Sequence, residues 1–238
     1  MMGAMVTADG STPSAPMPSV PMRRGRPRKG AEPLSRRAII DATLAVVAEG
    51  GIDAISLRAV ARRLGVDAKS LYNHVDGKEG LLDAMAEEVL GSIELPSRTG
   101  DPTADLKGIA HAFRASALAH SAVAPLILTR QLTSLEALAP VEAVLASLAD
   151  AGFTPRESVR QLRLLVAAVV GMLLREYGAG PTFGTVDVAG IAARRADLQA
   201  SSFPHVAEAA QFLARFDAAA EFDAAVDQVV SAVLSAAR

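Results

Sequence analysis

Two groups of side chains in this chain have types and spacing suited to gripping a polyanion. The first is the run "MRRGRPRKG", Met22 to Gly30, in which Arg23, Arg24, Arg26, Arg28 and Lys29 surround Gly25 and Pro27 with no acidic residue among them. Arginine side chains are drawn to the negative potential of a narrow minor groove, and glycine and proline keep such a strand slim and extended. A solubilising or merely electrostatic tail has the same composition, so both readings stand at this point. The second group is Lys69, Ser70, Tyr72, Asn73 and His74 in "AKSLYNHV", with Leu71 and Val75 turned the other way. Catalytic chemistry has little to draw on. There are four His and no Cys, no Gly-rich phosphate loop after a strand, and no His-Glu-x-x-His pattern. Glu87 and Glu88 fall inside a helical pattern and are expected to form a solvated face. Without Cys, a disulfide framework or a thiolate metal site is excluded.

Net charge is −2, but it is unevenly spread. Residues 1–75 carry 11 Lys/Arg against 6 Asp/Glu, whereas residues 76–238 carry 13 against 20. A basic front and an acidic remainder imply that only the front meets a polyanion.

The elements that must position these groups read as helices throughout. Half of the residues are hydrophobic and Ala and Leu recur, which favours helix, and no segment alternates with period two. Residues 1–33, interrupted by Pro13, Pro16, Pro18, Pro21, Pro27 and Pro33, are expected to be a disordered basic arm. From Leu34 onward, Ile39, Ile40, Leu44 and Val47 mark one helical face, closed by Gly50-Gly51. Ser56 is placed to cap "LRAVARRL", Asp67 to cap "AKSLYNHV", and Asp76 with Glu79 to form a capping box before "GLLDAMAEEVLGSI". Beyond residue 96, breaks at Pro102, Pro125, Pro140, Gly152, "GAGPTFG" and Pro204 predict helices over 102–119, 123–131, 137–151, 155–177, 187–200 and a broken 204–236. The longest apolar run, "LLVAAVVGMLL", is bounded by Arg163 and Arg175 and falls short of the roughly 18 residues of a membrane span. The N-terminus lacks the charged start and apolar segment of a signal peptide, so a soluble, cytoplasmic protein is expected.

"SLRAVARRLGVDAKSLYNHV", residues 56–75, has the layout of a helix-turn-helix: a helix, a short turn containing Gly65, then a short second helix. Such a pair exposes the start of its second helix to base edges while groups around it hold phosphates. A structural helix hairpin has the same layout, and the spacing does not separate the two.

The span 35–95 resembles the DNA-binding domain of the TetR family of bacterial transcriptional regulators. The resemblance rests on "AIIDATLAVVAEGG" followed in register by "ISLRAVARRLGVDAKSLYNHVDGKEGLL". It implies an all-α protein with an N-terminal three-helix helix-turn-helix domain, 34–95, and a larger helical effector-binding and dimerisation domain, 96–238. It further implies phosphate contacts from Ser56 and Lys78, backbone contacts from Tyr72 and His74, and base-facing positions for Arg58, Ala68, Lys69 and Asn73. Lys69 and Arg58 are the foremost candidates for base contact, since long cationic donors reach guanine O6 and N7. Arg62 and Arg63 read as solvated surface, and Tyr72 as partly core. "RGRP" resembles the core of an AT-hook, in keeping with a minor-groove role for the arm.

The segment "FRASALAHSAVAPLILTRQL", then "LADAGFTPRESV" and the ending "FPHVAEAAQFLARFDAAAEFDAAVDQVVSAVL", resembles the regulatory domain of tetracycline repressors. That resemblance implies a homodimer on a palindromic operator in double-stranded DNA, released by a small-molecule effector, with repression as the usual output. The effector candidates it suggests are Phe113, Arg114, Ser116, His120, Thr129, Arg130, Met172, Glu176 and Tyr177. The family's magnesium-binding His before the Thr-Arg pair is replaced here by Leu126, Ile127 and Leu128, so neither a metal nor a cofactor is expected. Glu176 alone is a poor metal site, and His120 could simply satisfy a helix end. An intersubunit four-helix bundle could use Leu162, Leu165, Val166, Val169 and Leu173 with Val226, Val229, Val230, Val233 and Leu234, although the same residues could close the core of one chain. The rival readings are an architectural DNA binder without sequence preference, for which the large apolar C-terminal part would be surplus, and a helical enzyme, for which the chemistry is missing.

Overall fold

In the computed structural model, which describes residues 34–128, 130, 135–176 and 184–237, regular structure is helical. No strand occurs among the described residues; Thr185 and Arg215 form an isolated bridge. The expected basic arm with Arg23, Arg24, Arg26 and Arg28 lies outside the described residues, as do Thr129 and Tyr177.

Helix α1, Arg36–Gly50, begins at Ser35, whose hydroxyl accepts the Ala38 N–H at 3.1 Å. Its inward face holds Ile39, Ile40, Val46 and Val47. Helix α2, Leu57–Leu64, is capped by Ser56, which accepts from the Ala59 N–H. Val60 and Ala61 are buried there, and Leu57 and Leu64 pack against the same core. Gly65 closes α2 in the left-handed conformation, φ 67°, which a side chain would strain. Val66 can then donate to the Ala61 carbonyl at 3.1 Å and turn the chain into α3. Helix α3, Ala68–Leu71, is capped by Asp67, which accepts the Lys69 N–H at 2.8 Å.

Two local expectations need correction. The helix expected over "AKSLYNHV" keeps its α form only to Leu71. His74 and Val75 both donate to the Leu71 carbonyl, a tightening that brings Val75 back into the core before α4. Helix α4, Gly77–Gly91, does start after Asp76, but no side-chain cap bond forms there. Glu79 does not close a capping box, because Arg130 holds its carboxylate at 2.5 Å.

The remaining helices follow the proline and glycine breaks closely: α5 Pro102–Ala119, α6 Ala124–Ile127, α7 Ala139–Asp150, α8 Pro155–Leu174, α9 Val188–Gln199, α10 Pro204–Glu208, α11 Ala210–Leu213 and α12 Ala218–Leu234. Helix α6 is shorter than the expected 123–131, and the broken C-terminal segment resolves into three helices. Thr154 and Glu157 supply the capping box that Asp76 and Glu79 do not, with Pro155 at the first helical position of α8.

Two hydrophobic clusters result. One joins α1 through α4 with Val123 and Ala137; the other joins α5, α7, α8 and α12 through Leu106, Leu148, Leu165, Leu173, Phe222 and Val230. Helix α4 packs both on α1 and on the 136–138 turn and α6, so it links the two clusters. Of the residues considered for an intersubunit bundle, Leu165, Val169, Leu173, Val226, Val230 and Val233 are buried within the single chain. They close its second core. Glu87 and Glu88 are also not a free solvated face: they hold Arg36 and Arg37 of α1, each at 2.6 Å.

Candidate nucleic-acid interface and effector cavity

The α2–turn–α3 unit sorts its side chains by direction. Leu71 is fully buried and Val75 nearly so, which fixes the roll of α3 about its axis. Lys69, Tyr72, Asn73 and His74 are consequently exposed, and Ala68 and Ser70 are half-buried at the start of the helix. Tyr72, expected to be partly core, is 61% exposed. Ser56 and Arg58 are exposed at the start of α2, and Lys78 is exposed in the first turn of α4. Helix N-termini leave backbone N–H groups without intrahelical partners, and these suit phosphate oxygens. The result is a row of hydroxyl, amide, phenol, imidazole and ammonium groups over a rigid apolar base. Arg62 and Arg63 are both exposed as expected, and Arg63 also pairs at the surface with Glu49 at 2.7 Å.

Deeper in the chain lies a cavity of about 220 Å³ between α4, α5, α7, α8 and α12. Its walls are side chains such as Leu90, Ile109, Val144, Leu162, Val166 and Val229. Of the effector candidates from sequence, Phe113 and Arg130 line it. Ser116 and His120 instead border a narrow neighbouring void, shared with Phe113. His120 ends α5 and its Nδ1 lies 2.9 Å from the Ser116 carbonyl oxygen. Arg114 donates to both carboxylate oxygens of Glu176, at 2.7 and 3.0 Å, and its guanidinium lies 5.2 Å from the centre of the Phe222 ring. Met172 packs half-buried against the second core. Among the described residues, no group of three or more His, Asp or Glu side chains could hold a metal ion.

The sequence reading missed most of the cavity wall. No single segment carries a signal for it, since the walls converge from five helices whose apolar stripes look alike in sequence.

Comparison with known proteins fits both features. A family model described as bacterial regulatory proteins, tetR family, matches residues 39–85, and the model of the tetracyclin repressor-like C-terminal domain matches residues 96–235. The chain belongs to the TetR family. An HTH-type transcriptional regulator of Saccharopolyspora erythraea is 30% identical over 198 residues, covering 79% of this chain and 82% of that protein. The tetracycline repressor protein class A from transposon 1721 of Escherichia coli is 32% identical over 163 residues, 66% of this chain and 75% of the repressor. The fold matches that of Streptomyces coelicolor ActR in complex with actinorhodin, with a TM-score of 0.76 at 23% identity, covering 87% of this chain and 99% of ActR. This TetR-family chain is thus a ligand-responsive, DNA-binding transcriptional regulator and not an enzyme. Among its described residues no helix is long and apolar enough to cross a membrane.

Proposed function

We propose that this protein is a cytoplasmic repressor that binds a palindromic operator as a homodimer and leaves it when a small organic effector fills the cavity. The observation that carries the DNA half is the exposed row on α2 and α3 over buried Leu71 and Val75. In this reading Lys69, Arg58, Asn73 and Ala68 face base edges. Ser56, Ser70, Tyr72, His74 and Lys78 hold phosphates. Residues 34–95 form the reading head, and residues 96–238 form the effector-binding and dimerisation part. The arm 1–33 adds minor-groove and non-specific affinity through Arg23, Arg24, Arg26 and Arg28.

A palindrome calls for a two-fold protein. The faces of α8 and α12 turned away from the second core suit such a contact. They expose Leu164, Ala167 and Gly171 on α8, with Ala220, Ala224 and Ala232 on α12. Small residues let helices approach closely, and Leu164 gives the seam hydrophobic area. Residues 184–216 form an appendage whose ends are tied by the Thr185 bridge to Arg215. It exposes Val186, Val188, Phe203 and Phe212, a second apolar surface for the other copy.

The cavity supports a largely apolar effector site with Arg130 as its one charged wall residue among those described, and its wall includes Leu90 of α4, the helix that carries Lys78. A ligand that favours one placement of α4 over another changes the separation of the two reading heads. Glu176 is engaged by Arg114, and Leu126, Ile127 and Leu128 stand before Thr129-Arg130 in sequence where a His would be needed, so the effector is read as metal-free. The test is selection of bound duplexes from a random pool by full-length protein at near-physiological salt. A recovered palindrome supports the proposal, and enrichment of A·T-rich DNA without symmetry would overturn it in favour of an architectural binder.

A further inference from the structure

Arg130 stands in the cavity wall, yet its guanidinium is bound to α4. Nη1 donates to Asp83 Oδ1 at 2.6 Å and Nη2 to Glu79 Oε2 at 2.5 Å. The two acidic residues are four apart in sequence, so they lie one turn from each other on one face of the helix. Isolated surface ion pairs contribute little, because two long side chains must be held in one geometry. This arrangement differs from such a pair. The Arg130 side chain is only 18% exposed, and its planar fork spans both acceptors at once. A slide or roll of α4 against Arg130 would therefore disturb both bonds together.

The charges at the start of α4 give this clamp a consequence for DNA. From Asp76 to Asp83 the chain has one cation, Lys78, against three carboxylates, Asp76, Glu79 and Asp83. Lys78 is exposed in the first turn, where the helix also offers N–H groups to a phosphate. Carboxylates at a helix start compete with a phosphate for the same positive end, and they repel the polyanion besides. Arg130 sets one cation against two of the three. It brings that cation from 47 and 51 residues further along the chain, so the placement of the helix start and its local charge both depend on a residue outside the helix-turn-helix.

We infer that Arg130 is a positioning residue for DNA binding: by clamping Glu79 and Asp83 it holds the start of α4, with Lys78, in the place and charge state that a phosphate accepts. The inference rests on the start of α4 being part of the DNA surface, as proposed above. Anisotropy titrations of the selected operator with full-length protein test it as a double-mutant cycle. Arg130→Met should weaken operator binding about tenfold, an ordinary size for coupling between distinct sites. The same change made in a Glu79→Gln, Asp83→Asn background should have an effect of less than about twofold, because the carboxylates through which Arg130 acts are gone. A residue that only filled space in the cavity wall would weaken binding equally in both backgrounds. Arg130→Lys keeps the charge but cannot bridge both carboxylates, and its affinity should fall between wild type and Arg130→Met. Lys78→Ala is the control for the surface itself and should weaken binding. Equal effects of Arg130→Met in the two backgrounds, or wild-type affinity in Arg130→Lys, would overturn the inference and leave the DNA surface as described. Unchanged affinity in Lys78→Ala would overturn the assignment of the α4 start to that surface, and the inference with it.

Discussion

In the proposed reading, single residues of the reading head have separable duties, and the exposed ones can be told apart by experiment. Lys69 and Lys78 are both exposed cations, yet one stands on α3 and the other at the start of α4. Lys69→Ala is expected to lower the preference for the selected operator over a scrambled duplex by about tenfold or more, the usual discrimination of a good base contact. Lys78→Ala should weaken both duplexes alike and reduce the salt dependence of binding. Anisotropy titrations of the two duplexes at several salt concentrations distinguish these patterns. Leu71 has no partner in DNA and no exposed surface. Leu71→Ala should cost about 2–5 kcal/mol of stability in denaturant unfolding, the range for a buried leucine. A loss well below that would mean α3 is not anchored as described.

At the scale of the elements, caps and breaks were the most readable features in the sequence. Ser56, Asp67 and Pro155 act locally, within the three or four residues that surround a helix start, so their types alone placed α2, α3 and α8. Asp76 and Glu79 matched the same local pattern and failed. The competing partner, Arg130, lies 51 residues away in sequence and no local rule includes it. The same reason hid the pairing of Glu87 and Glu88 with α1. Periodicity showed that α8 and α12 were apolar; it gave no means of dividing their residues between the core of one chain and a seam between two. The helices of residues 34–95 were therefore legible in order and approximate extent, and the cavity hardly at all.

One such local device carries a pH dependence. The Thr99 hydroxyl and N–H both donate to Asp105 Oδ1 at 2.7 Å, pinning the segment before α5 to its first turn. The Thr99 hydroxyl above all, then its N–H, holds the Asp105 carboxyl below the usual aspartate range. A folded value below the unfolded one means that the unfolded chain binds more protons in the interval between them. The contribution is fully present above the unfolded value and is lost as pH falls through the folded one. Asp105→Asn should therefore be less stable than wild type near neutrality, with the gap narrowing on acidification. Urea midpoints across that range measure it, and a gap that stays constant or widens would contradict the assignment.

At the scale of the whole molecule, the proposed reading gives DNA contact to the basic front and effector binding to the acidic remainder. Removing residues 1–30 should weaken operator binding and flatten its salt dependence, since those residues contribute five cations. Unchanged affinity and slope would assign the arm no part in binding. The central claim is that two copies of α2–α3, held at a fixed separation by α8 and α12, read two half-sites together. The most direct measurement is the affinity of the full-length protein for the selected palindrome and for the same duplex with half a helical turn inserted at its centre. The insertion leaves every base contact available but rotates one half-site to the opposite side of the duplex. Affinity should fall towards the non-specific level, on the order of a thousandfold or more; equal affinity for the two duplexes would contradict a rigid two-fold reader.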